Sequence, residues 1–293
     1  MKILIPSGKY VVAVSGGVDS MVLLDLLAKK RDLELVVAHF NHGIRADSDK
    51  DEELVRRTAK KLGIEFVAGH GRLGARASEE QAREARYSFL NAVKRQHRAK
   101  TMITAHHQDD LIETALINVL RGSGRLGLTS MLDNPAILRP LLNTPKKDIL
   151  AYAAEHKVVW REDSSNLDPK YLRNYLRLNI LPRLTDSQRQ ELLKNIESVA
   201  KSQTELNALI ATISHNVISH KIIDRGKYLS LPSPLDYELM AYWLRKNVGG
   251  DFNRKTVERL ALGMKTAKPG SNLEASRGVY LVIGAKGAQF SNR

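Results

Sequence analysis

Cysteine is absent from the 293-residue sequence, and this absence excludes several kinds of protein chemistry. Without cysteine the chain forms no disulfide, ligates no zinc ion through thiolates and uses no thiol nucleophile. Long apolar runs are missing too, since no stretch approaches the about 18 consecutive apolar residues that a membrane-spanning helix needs. The N-terminus leads into a predicted strand and does not resemble a signal peptide. We therefore expect a cytoplasmic protein that makes no contact with a membrane.

Acidic residues are scarce relative to basic ones. The chain has 46 Lys and Arg against 32 Asp and Glu, a formal net charge of +14. A basic surplus of this size favours a polyanionic partner such as a nucleic acid. A generic basic protein would carry the same surplus, so the charge alone does not identify the partner.

Residues 1–183 alternate short apolar strands with helices, which is typical of an α/β fold with a doubly wound parallel sheet. The clearest helices are predicted over Glu53–Leu62 and Glu79–Val93. In such a fold, ligands bind beyond the carboxyl ends of the strands, so the polar residues that follow each strand should meet at one rim. The predicted strands are Val11–Val14, Leu33–His39, Ile64–Gly69 and Thr101–Ala105.

The rest of the chain divides into a helical linker, residues 184–220, and a small α+β C-terminal domain, residues 221–293. Apolar residues at spacings of three and four run from Gln188 to Val217, which predicts a bridging helix or helix pair. The sequence is also compatible with a homodimer. The remaining predicted elements are helices at Lys146–His156, Tyr237–Asn247 and Lys255–Met264, and a strand at Gly278–Gly284.

The segment Ser15–Ser20 reads S-G-G-V-D-S and lies between a buried strand and a helix. Such a turn directs backbone N–H groups and the positive end of the helix dipole at whatever lies above it, and glycine lets a phosphate approach closely. Neither the Walker loop nor the dinucleotide fingerprint is present. The segment resembles the pyrophosphate loop of the PP-loop ATP pyrophosphatases, which transfer AMP to an oxygen atom. A simple tight turn is the alternative interpretation.

Two further polar segments follow predicted strands. His39-Phe40-Asn41-His42-Gly43-Ile44-Arg45 could serve an adenine ring and a phosphate, or be a loop of hydrogen-bonded polar residues. His106 to Thr114 combines two histidines with adjacent carboxylates, a costly arrangement for a purely structural role. Since Asp109 and Asp110 point in different directions on a helix, at most one should enter the site. The alternative role for either is helix capping.

Three basic segments are candidates for binding phosphates. Arg83 and Arg86 share one face of a helix, which could equally be a solvated arginine face. Arg121 and Arg125 flank a Gly-rich loop after a helix end. In the segment from Asp163 to Arg177, the pair Arg173 and Arg177 lies on one helix face and suits a nucleic-acid phosphate. An internal salt bridge to Asp163 or Asp168 is the alternative there.

Taken in order, these motifs resemble the bacterial tRNA(Ile)-lysidine synthetase family, within the PP-loop superfamily. The matching residues span 10 to about 183, and the last motif separates this family from other PP-loop enzymes. The motifs are S-G-G-V-D-S, H-F-N-H-G-I-R, A-R-E-A-R-Y, T-A-H-H-Q-D-D-L-I-E-T, R-G-S-G-R-L-G-L, R-P-L-L and D-S-S-N…Y-L-R-N-Y-L-R.

The resemblance implies a reaction. The family uses ATP to adenylate the C2 oxygen of the first anticodon cytidine in tRNA(Ile) with a CAU anticodon, and pyrophosphate leaves. The amine of free L-lysine, the co-substrate, then attacks C2 and expels AMP. Codon AUA is thereby read as isoleucine.

The resemblance also implies roles for particular residues. Asp19 and Asp110 match the family's acidic positions and are candidates for catalysis and for Mg²⁺, while Arg83 or Arg86 matches its helix arginine. ATP would be bound by Ser15, Gly16, Gly17, Val18, Asp19, Ser20, His39, Asn41 and His106. The tRNA would be bound by Arg121, Arg125, Arg173, Asn174 and Arg177, and residues 221–293 would contact it as well.

Two other functions stay open at this stage. The chain could be another PP-loop enzyme, either a tRNA thiolase or an amide-forming synthetase. The thiolases need cysteines, which this chain lacks, and a small-molecule synthetase has no evident need for a charge of +14. A catalytically silent RNA-binding protein is the third candidate, although the intact S-G-G-V-D-S and D-D-L-I-E-T segments argue against a decayed site.

Overall fold

A computed structural model describes most of the chain. The described residues are 1–43, 48–71, 79–132, 134, 136–162, 172–249 and 252–292. Two compact units are distinguished by their internal contacts, Met1–Ala200 and Lys201–Arg293. The boundary between them falls inside one long helix, and the division at residues 183 and 220 stays a prediction.

The first unit is built on five parallel strands, which lie side by side in the order Glu65–His70, Leu33–Asn41, Gly8–Ala13, Thr101–Ile103 and Ile137–Leu138. Between the strands run helices that connect them in the βαβ manner typical of a parallel sheet. The elements are β1 (Gly8–Ala13), α1 (Val18–Ala28), β2 (Leu33–Asn41), α2 (Ser48–Lys61), β3 (Glu65–His70), α3 (Glu79–Gln96), β4 (Thr101–Ile103), α4 (Gln108–Leu120), α5 (Arg125–Leu128), β5 (Ile137–Leu138) and α6 (Lys146–Glu155).

Strand β1 is covered on both faces, as its continuous apolar run predicts. Successive side chains on a strand point to opposite faces. Val12 belongs to the cluster that includes most of the buried side chains of α1, while Val11 belongs to the cluster that includes Leu90 and Val93 of α3. Helices therefore cover both faces of the sheet, and the predicted doubly wound α/β fold is confirmed.

The chain then passes through short helical turns into a long helix. These elements are α7 (Leu172–Tyr175), a π-helical turn (Leu176–Ile180), a 3₁₀ turn (Leu181–Arg183) and α8 (Asp186–Val217). The long amphipathic pattern that began at Gln188 is thus one continuous helix of 32 residues.

The second unit combines an antiparallel sheet with the C-terminal part of α8 and with further helices. The core of the unit includes the buried side chains of Trp243, Tyr228 and Leu239. The strands lie side by side in the order Ile218–Ser219, Ile222–Asp224, Gly287–Asn292, Val279–Ile283 and Asn272–Ser276. The small α+β domain expected at the C-terminus is confirmed, although only one of its five strands was predicted. Its elements are β6 (Ile218–Ser219), β7 (Ile222–Asp224), α9 (Arg225–Leu229), α10 (Leu235–Asn247), α11 (Arg254–Thr266), β8 (Asn272–Ser276), β9 (Val279–Ile283) and β10 (Gly287–Asn292).

The helices of the described ranges were also compared with the requirements of a bilayer. Within those ranges, no helix is both long enough and apolar enough to cross a membrane.

Replacing Leu24 by alanine tests the core of the first unit. The side chain of Leu24 is fully buried in α1, so we expect the free energy of unfolding to fall by about 2–5 kcal/mol, from lost burial and the cavity left behind. Urea unfolding followed by the fluorescence of Trp160 in a Trp243→Phe background measures this. Leu4→Ala is the control, because Leu4 is 96% exposed; equal losses for the two variants would contradict the described core.

Candidate active site

The loop Ser15–Ser20 forms a braced turn in front of α1. Gly16 has φ +96°, a conformation that glycine adopts without strain. The Ser20 hydroxyl accepts a hydrogen bond from the Ser15 N–H (3.1 Å) and donates one to the Gly17 carbonyl (2.9 Å). In the described part of the chain, no side chain caps α1 at Gly17. The helix N-terminus therefore presents N–H groups that an anion can use.

Arg161 and Asp51 also contact this loop or lie beside it. The Gly16 carbonyl accepts a hydrogen bond from the Arg161 N–H (3.1 Å), and Arg161 Nε donates to Asp51 Oδ1 (2.7 Å). A Cβ atom at Gly16 would lie 3.4 Å from the Asp51 Cβ. Neither Arg161 nor Asp51 was singled out from the sequence, since the two are 110 positions apart and each looks like an ordinary surface charge.

His107 contacts both the loop that follows β1 and the first turn of the helix that follows β4. Its Nε2 atom lies 3.7 Å from Asp19 Oδ2 and 3.5 Å from Asp110 Oδ2, and the ring is buried. The two predicted acidic residues therefore face the same imidazole from opposite segments. Asp19 is also bound through its other oxygen by Lys146 Nζ at 2.5 Å. The sequence did not single out Lys146, which reads there as part of a helix.

Asp110 accepts a hydrogen bond at each of its two carboxylate oxygens. Its Oδ2 accepts a hydrogen bond from the His107 N–H (2.9 Å), which completes a capping box at the start of α4. Its Oδ1 accepts from Arg177 Nη2 (3.1 Å). Burial raises the pKa of Asp110, but His107, His106 and Arg177 together hold that pKa below its usual value. The carboxylate is therefore charged at neutral pH and suits a cationic ligand.

Arg177 also forms a bidentate ion pair with Glu113. Its Nε donates to Glu113 Oε1 (2.8 Å) and its Nη2 to Oε2 (2.9 Å), and the Glu113 side chain has no exposed surface. Burial raises the pKa of Glu113, and the guanidinium opposes that rise. Arg177 thus pairs with two carboxylates of α4. Asp163 and Asp168, its alternative partners from the sequence, lie outside the described residues, and its predicted tRNA contact stays a prediction.

Asp109 points away from this network. Its Oδ1 accepts a hydrogen bond from Arg189 Nη1 at 2.8 Å, at the beginning of α8. The two adjacent carboxylates thus have different partners, and the expectation that at most one of them enters the site stays a prediction.

His39 and Asn41 shape the second part of the rim. The Nδ1 atom of His39 lies 2.8 Å from the Val14 carbonyl, and burial lowers the pKa of this imidazole, so it is neutral. The Asn41 side chain donates to Asp49 Oδ1 (2.8 Å) and accepts from the Gly43 N–H (2.9 Å). Their predicted contacts with ATP stay predictions, and Arg45 of the same segment lies outside the described residues.

Arginines gather around His106 and Tyr87. The Cζ atoms of Arg83 and Arg86 lie 4.9 and 5.6 Å from the centroid of the Tyr87 ring. Burial lowers the pKa of His106 to about 4, and the positive charges of Arg139, Arg86 and Arg83 act in the same direction. His106 is therefore neutral at physiological pH. A group of guanidinium groups beside it favours an anion.

The remaining candidates for binding tRNA differ in exposure. Arg121, at the C-terminal end of α4, is exposed, whereas Arg125 and Arg173 are half-buried and Asn174 is buried. The part of the motif from Asp163 to Tyr171, and Ser78 of the predicted capping box, lie outside the described residues. Their predicted roles stay predictions.

The described residues contain no group of three or more His, Asp or Glu side chains that could hold a metal ion alone. Asp19 and Asp110, facing each other across His107, nevertheless fit Mg²⁺, which is usually bound by one or two carboxylates together with substrate phosphates and water.

The pH dependence of stability tests the environment of His106. Its pKa is lower in the folded protein than the usual 6.5. Between pH 6.5 and about 4 the unfolded chain therefore binds a proton that the folded chain does not, and stability falls as the pH falls. In the unchanged protein we expect His106 to lower the free energy of unfolding by up to about 3 kcal/mol between pH 6.5 and about 4. The His106→Gln variant should lack this decrease when urea unfolding is measured across the same range.

His215→Gln is the control for that measurement, because His215 is exposed on α8. A pH dependence that His106→Gln leaves unchanged would contradict the buried, neutral imidazole.

Replacing Arg177 by alanine tests the burial of the Glu113 carboxylate. Arg177→Ala leaves Glu113 buried without its partner, and we expect a loss of about 3–5 kcal/mol in the free energy of unfolding. Arg57→Ala, which removes an exposed pair with Glu53, should cost at most about 1 kcal/mol. Similar losses for both variants in urea unfolding would show that the Arg177 pair is not buried as described.

Comparison with known proteins identifies a family and several relatives of the chain. A family model described as a PP-loop domain matches residues 3–184. A tRNA(Ile)-lysidine synthase of Chlorobaculum tepidum is 33% identical over 284 residues, covering 92% of this chain and 82% of that protein. One of Geobacter sulfurreducens is 37% identical, covering 70% of this chain and 47% of that protein. The chain thus spans about half the length of several curated relatives.

Among solved structures, the chain resembles the U34-tRNA thiolase NcsA from Methanococcus maripaludis. The TM-score is 0.56 with 18% identity, and the match covers 68% of this chain and 74% of the thiolase. At this identity the likeness supports the fold alone.

Proposed function

The chain belongs to the tRNA(Ile)-lysidine synthase family of PP-loop proteins, and on that premise we propose that it ligates L-lysine to C2 of the first anticodon cytidine of tRNA(Ile) with a CAU anticodon. The observation that supports this best is the meeting of Asp19 and Asp110 at His107, directly beside the loop that precedes α1. An ATP-dependent transfer to a neutral oxygen needs both features in one place.

The first step uses the phosphate loop. The C2 oxygen of cytosine attacks the α-phosphorus of ATP, the bond from that phosphorus to the β-phosphate bridging oxygen breaks, and pyrophosphate leaves. The N–H groups at the start of α1 stabilise the phosphate charge that develops. Mg²⁺ bound with ATP would neutralise phosphate oxygens, and Asp19 and Asp110 are the carboxylates suited to hold it.

The second step needs L-lysine held by both its charges. An amine of lysine attacks C2, and the bond from C2 to the AMP oxygen breaks. Asp110 is ionised and suits an ammonium group, while Arg83 and Arg86 suit the lysine carboxylate or a phosphate. Since the pKa of Asp110 is low, it is a poor proton acceptor, and the proton of the attacking amine passes to water.

The basic surplus of the chain suits a tRNA substrate, because phosphates dominate the affinity of proteins for nucleic acids. An anticodon loop also presents its first base at low cost, since that base is not paired in a duplex. His39, Asn41 and His106 remain the proposed neighbours of the nucleotide. The homodimer and the cytoplasmic location stay predictions.

Mass spectrometry of tRNA nucleosides tests the proposal. The protein is incubated with tRNA(Ile) bearing CAU, ATP, Mg²⁺ and lysine, and the digested tRNA is examined for a cytidine that has gained lysine. Pyrophosphate release is measured in parallel with tRNA or lysine omitted. We expect the modified nucleoside only in the complete reaction. Pyrophosphate release that needs no tRNA would favour a small-molecule synthetase instead.

Two adjacent carboxylates provide a matched pair of variants. Asp110→Asn should lower lysine transfer at least 100-fold, because the charge that faces His107 is lost. Asp109→Asn should lower it less than about fivefold, because that carboxylate is bound to Arg189 outside the site. Initial rates of lysine incorporation decide between them, and equal activity of the Asp110 variant and the unchanged protein would remove Asp110 from the site.

A further inference from the structure

Helices α1 and α6 run side by side in the same direction. Asp19 contacts Lys146 near the start of both helices, and Asp25 accepts a hydrogen bond from the Tyr152 hydroxyl (2.7 Å) further along. Both pairs are 127 positions apart in the sequence, so the helices are parallel and in register. Their N-termini therefore lie together, and the positive ends of two helix dipoles point at one region.

Lys146 occupies an unfavourable place for a cation. It is the first residue of α6, and among the described residues no side chain caps that helix at Pro145. Acidic residues, not basic ones, stabilise the first turn of a helix. The Thr144 carbonyl also accepts a hydrogen bond from the Gln108 N–H (3.1 Å) at the start of α4, which fixes the beginning of α6 beside the site.

The charge of Lys146 is balanced by Asp19, with the Nζ atom 2.5 Å from Oδ1. Both side chains keep about a third of their surface exposed, 33% for Lys146 and 29% for Asp19. Lys146 is therefore partly exposed while in contact with a residue of the loop Ser15–Ser20. An ammonium group is a compact charge on a flexible stem, which suits phosphate oxygens in changing positions.

We propose that Lys146 is a further phosphate-binding residue, which exchanges its contact with Asp19 for the β- and γ-phosphates and then holds the leaving pyrophosphate. This inference rests on the proposed function, because it assigns the phosphates of ATP to this loop. As Lys146 turns to the phosphates, the Asp19 carboxylate is released for Mg²⁺ or the ammonium group of lysine. The exchange conserves charge pairing and places a positive group where negative charge develops.

Direct binding of inorganic pyrophosphate, in EDTA to remove metal ions, tests the exchange by calorimetry on the full chain. We expect Lys146→Met to weaken binding at least tenfold and Lys146→Arg to stay within about threefold of the unchanged protein. Lys147→Met is the matched control, because Lys147 is 67% exposed and contacts Asp186 at 3.2 Å, away from Asp19. It should change the affinity less than about twofold.

A second variant separates binding from a structural role. Asp19→Asn removes the carboxylate that competes for Lys146, so we expect it to strengthen pyrophosphate binding at least threefold in EDTA. Because the loss of a nearby negative charge favours an anion by itself, the gain is also measured in the Lys146→Met background, where the inference predicts a much smaller gain. The absence of a gain, an equal gain in both backgrounds, or unaltered binding by folded Lys146→Met overturns the inference.

The outcomes also distinguish the inference from the proposed function. If the protein forms lysidine but Lys146→Met leaves its pyrophosphate affinity unchanged, the inference is wrong and the proposed function stands. If Lys146→Met weakens pyrophosphate binding but no modified cytidine is formed, the phosphate site stands and the proposed function is wrong.

Discussion

The position of β1 in the sheet is the constraint on which the site depends. Strands β2 and β3 lie on one side of β1, and β4 and β5 lie on the other, so the connections from β1 and β4 leave a crevice at their carboxyl ends. The loop Ser15–Ser20 lies at one edge of that crevice and the start of α4 at the other. His107 joins the two through Asp19 and Asp110. A different strand order would separate the phosphate loop from its carboxylates.

Two carboxylates beside this crevice are buried or nearly buried and share one guanidinium group. Glu113 has no exposed surface and Asp110 is 13% exposed, and both contact Arg177. Replacing such a network by apolar side chains would often stabilise a protein, so stability alone does not account for it. Its consequence is a fixed orientation for Asp110, with one oxygen bound by Arg177 and the other by the His107 N–H. Preorganised charge of this kind is what transfer reactions require.

The arginines near His106 add the opposite charge to the same rim. Arg83, Arg86 and Arg139 all act on the imidazole, which is neutral, so the region carries a surplus of positive charge next to the ionised Asp110. An amino acid carries both an ammonium and a carboxylate group. Neighbouring groups of opposite sign are what the proposed lysine substrate needs, and the same carboxylates suit the Mg²⁺ that would be bound with ATP.

The fold class and the phosphate loop could be predicted from local patterns. The pattern that predicts them involves only neighbouring residues: a continuous apolar run, then S-G-G-V-D-S, then apolar residues at helical spacing. The structure forms the corresponding strand, turn and helix. Strand β5 and four strands of the second sheet were not predicted, because they are short or lack a clear alternation of apolar residues.

The sequence by itself determined which residue types stand at the rim and which helix face each occupies, because those depend on spacing along the chain. Only the tertiary structure decided their partners. Lys146 meets Asp19 across 127 positions, and Arg177 meets Glu113 across 64. Contacts at such separations follow from how strands and helices pack, and no local pattern encodes them. The same packing turned Arg177 inward toward Asp110 and placed Lys146 beside the phosphate loop.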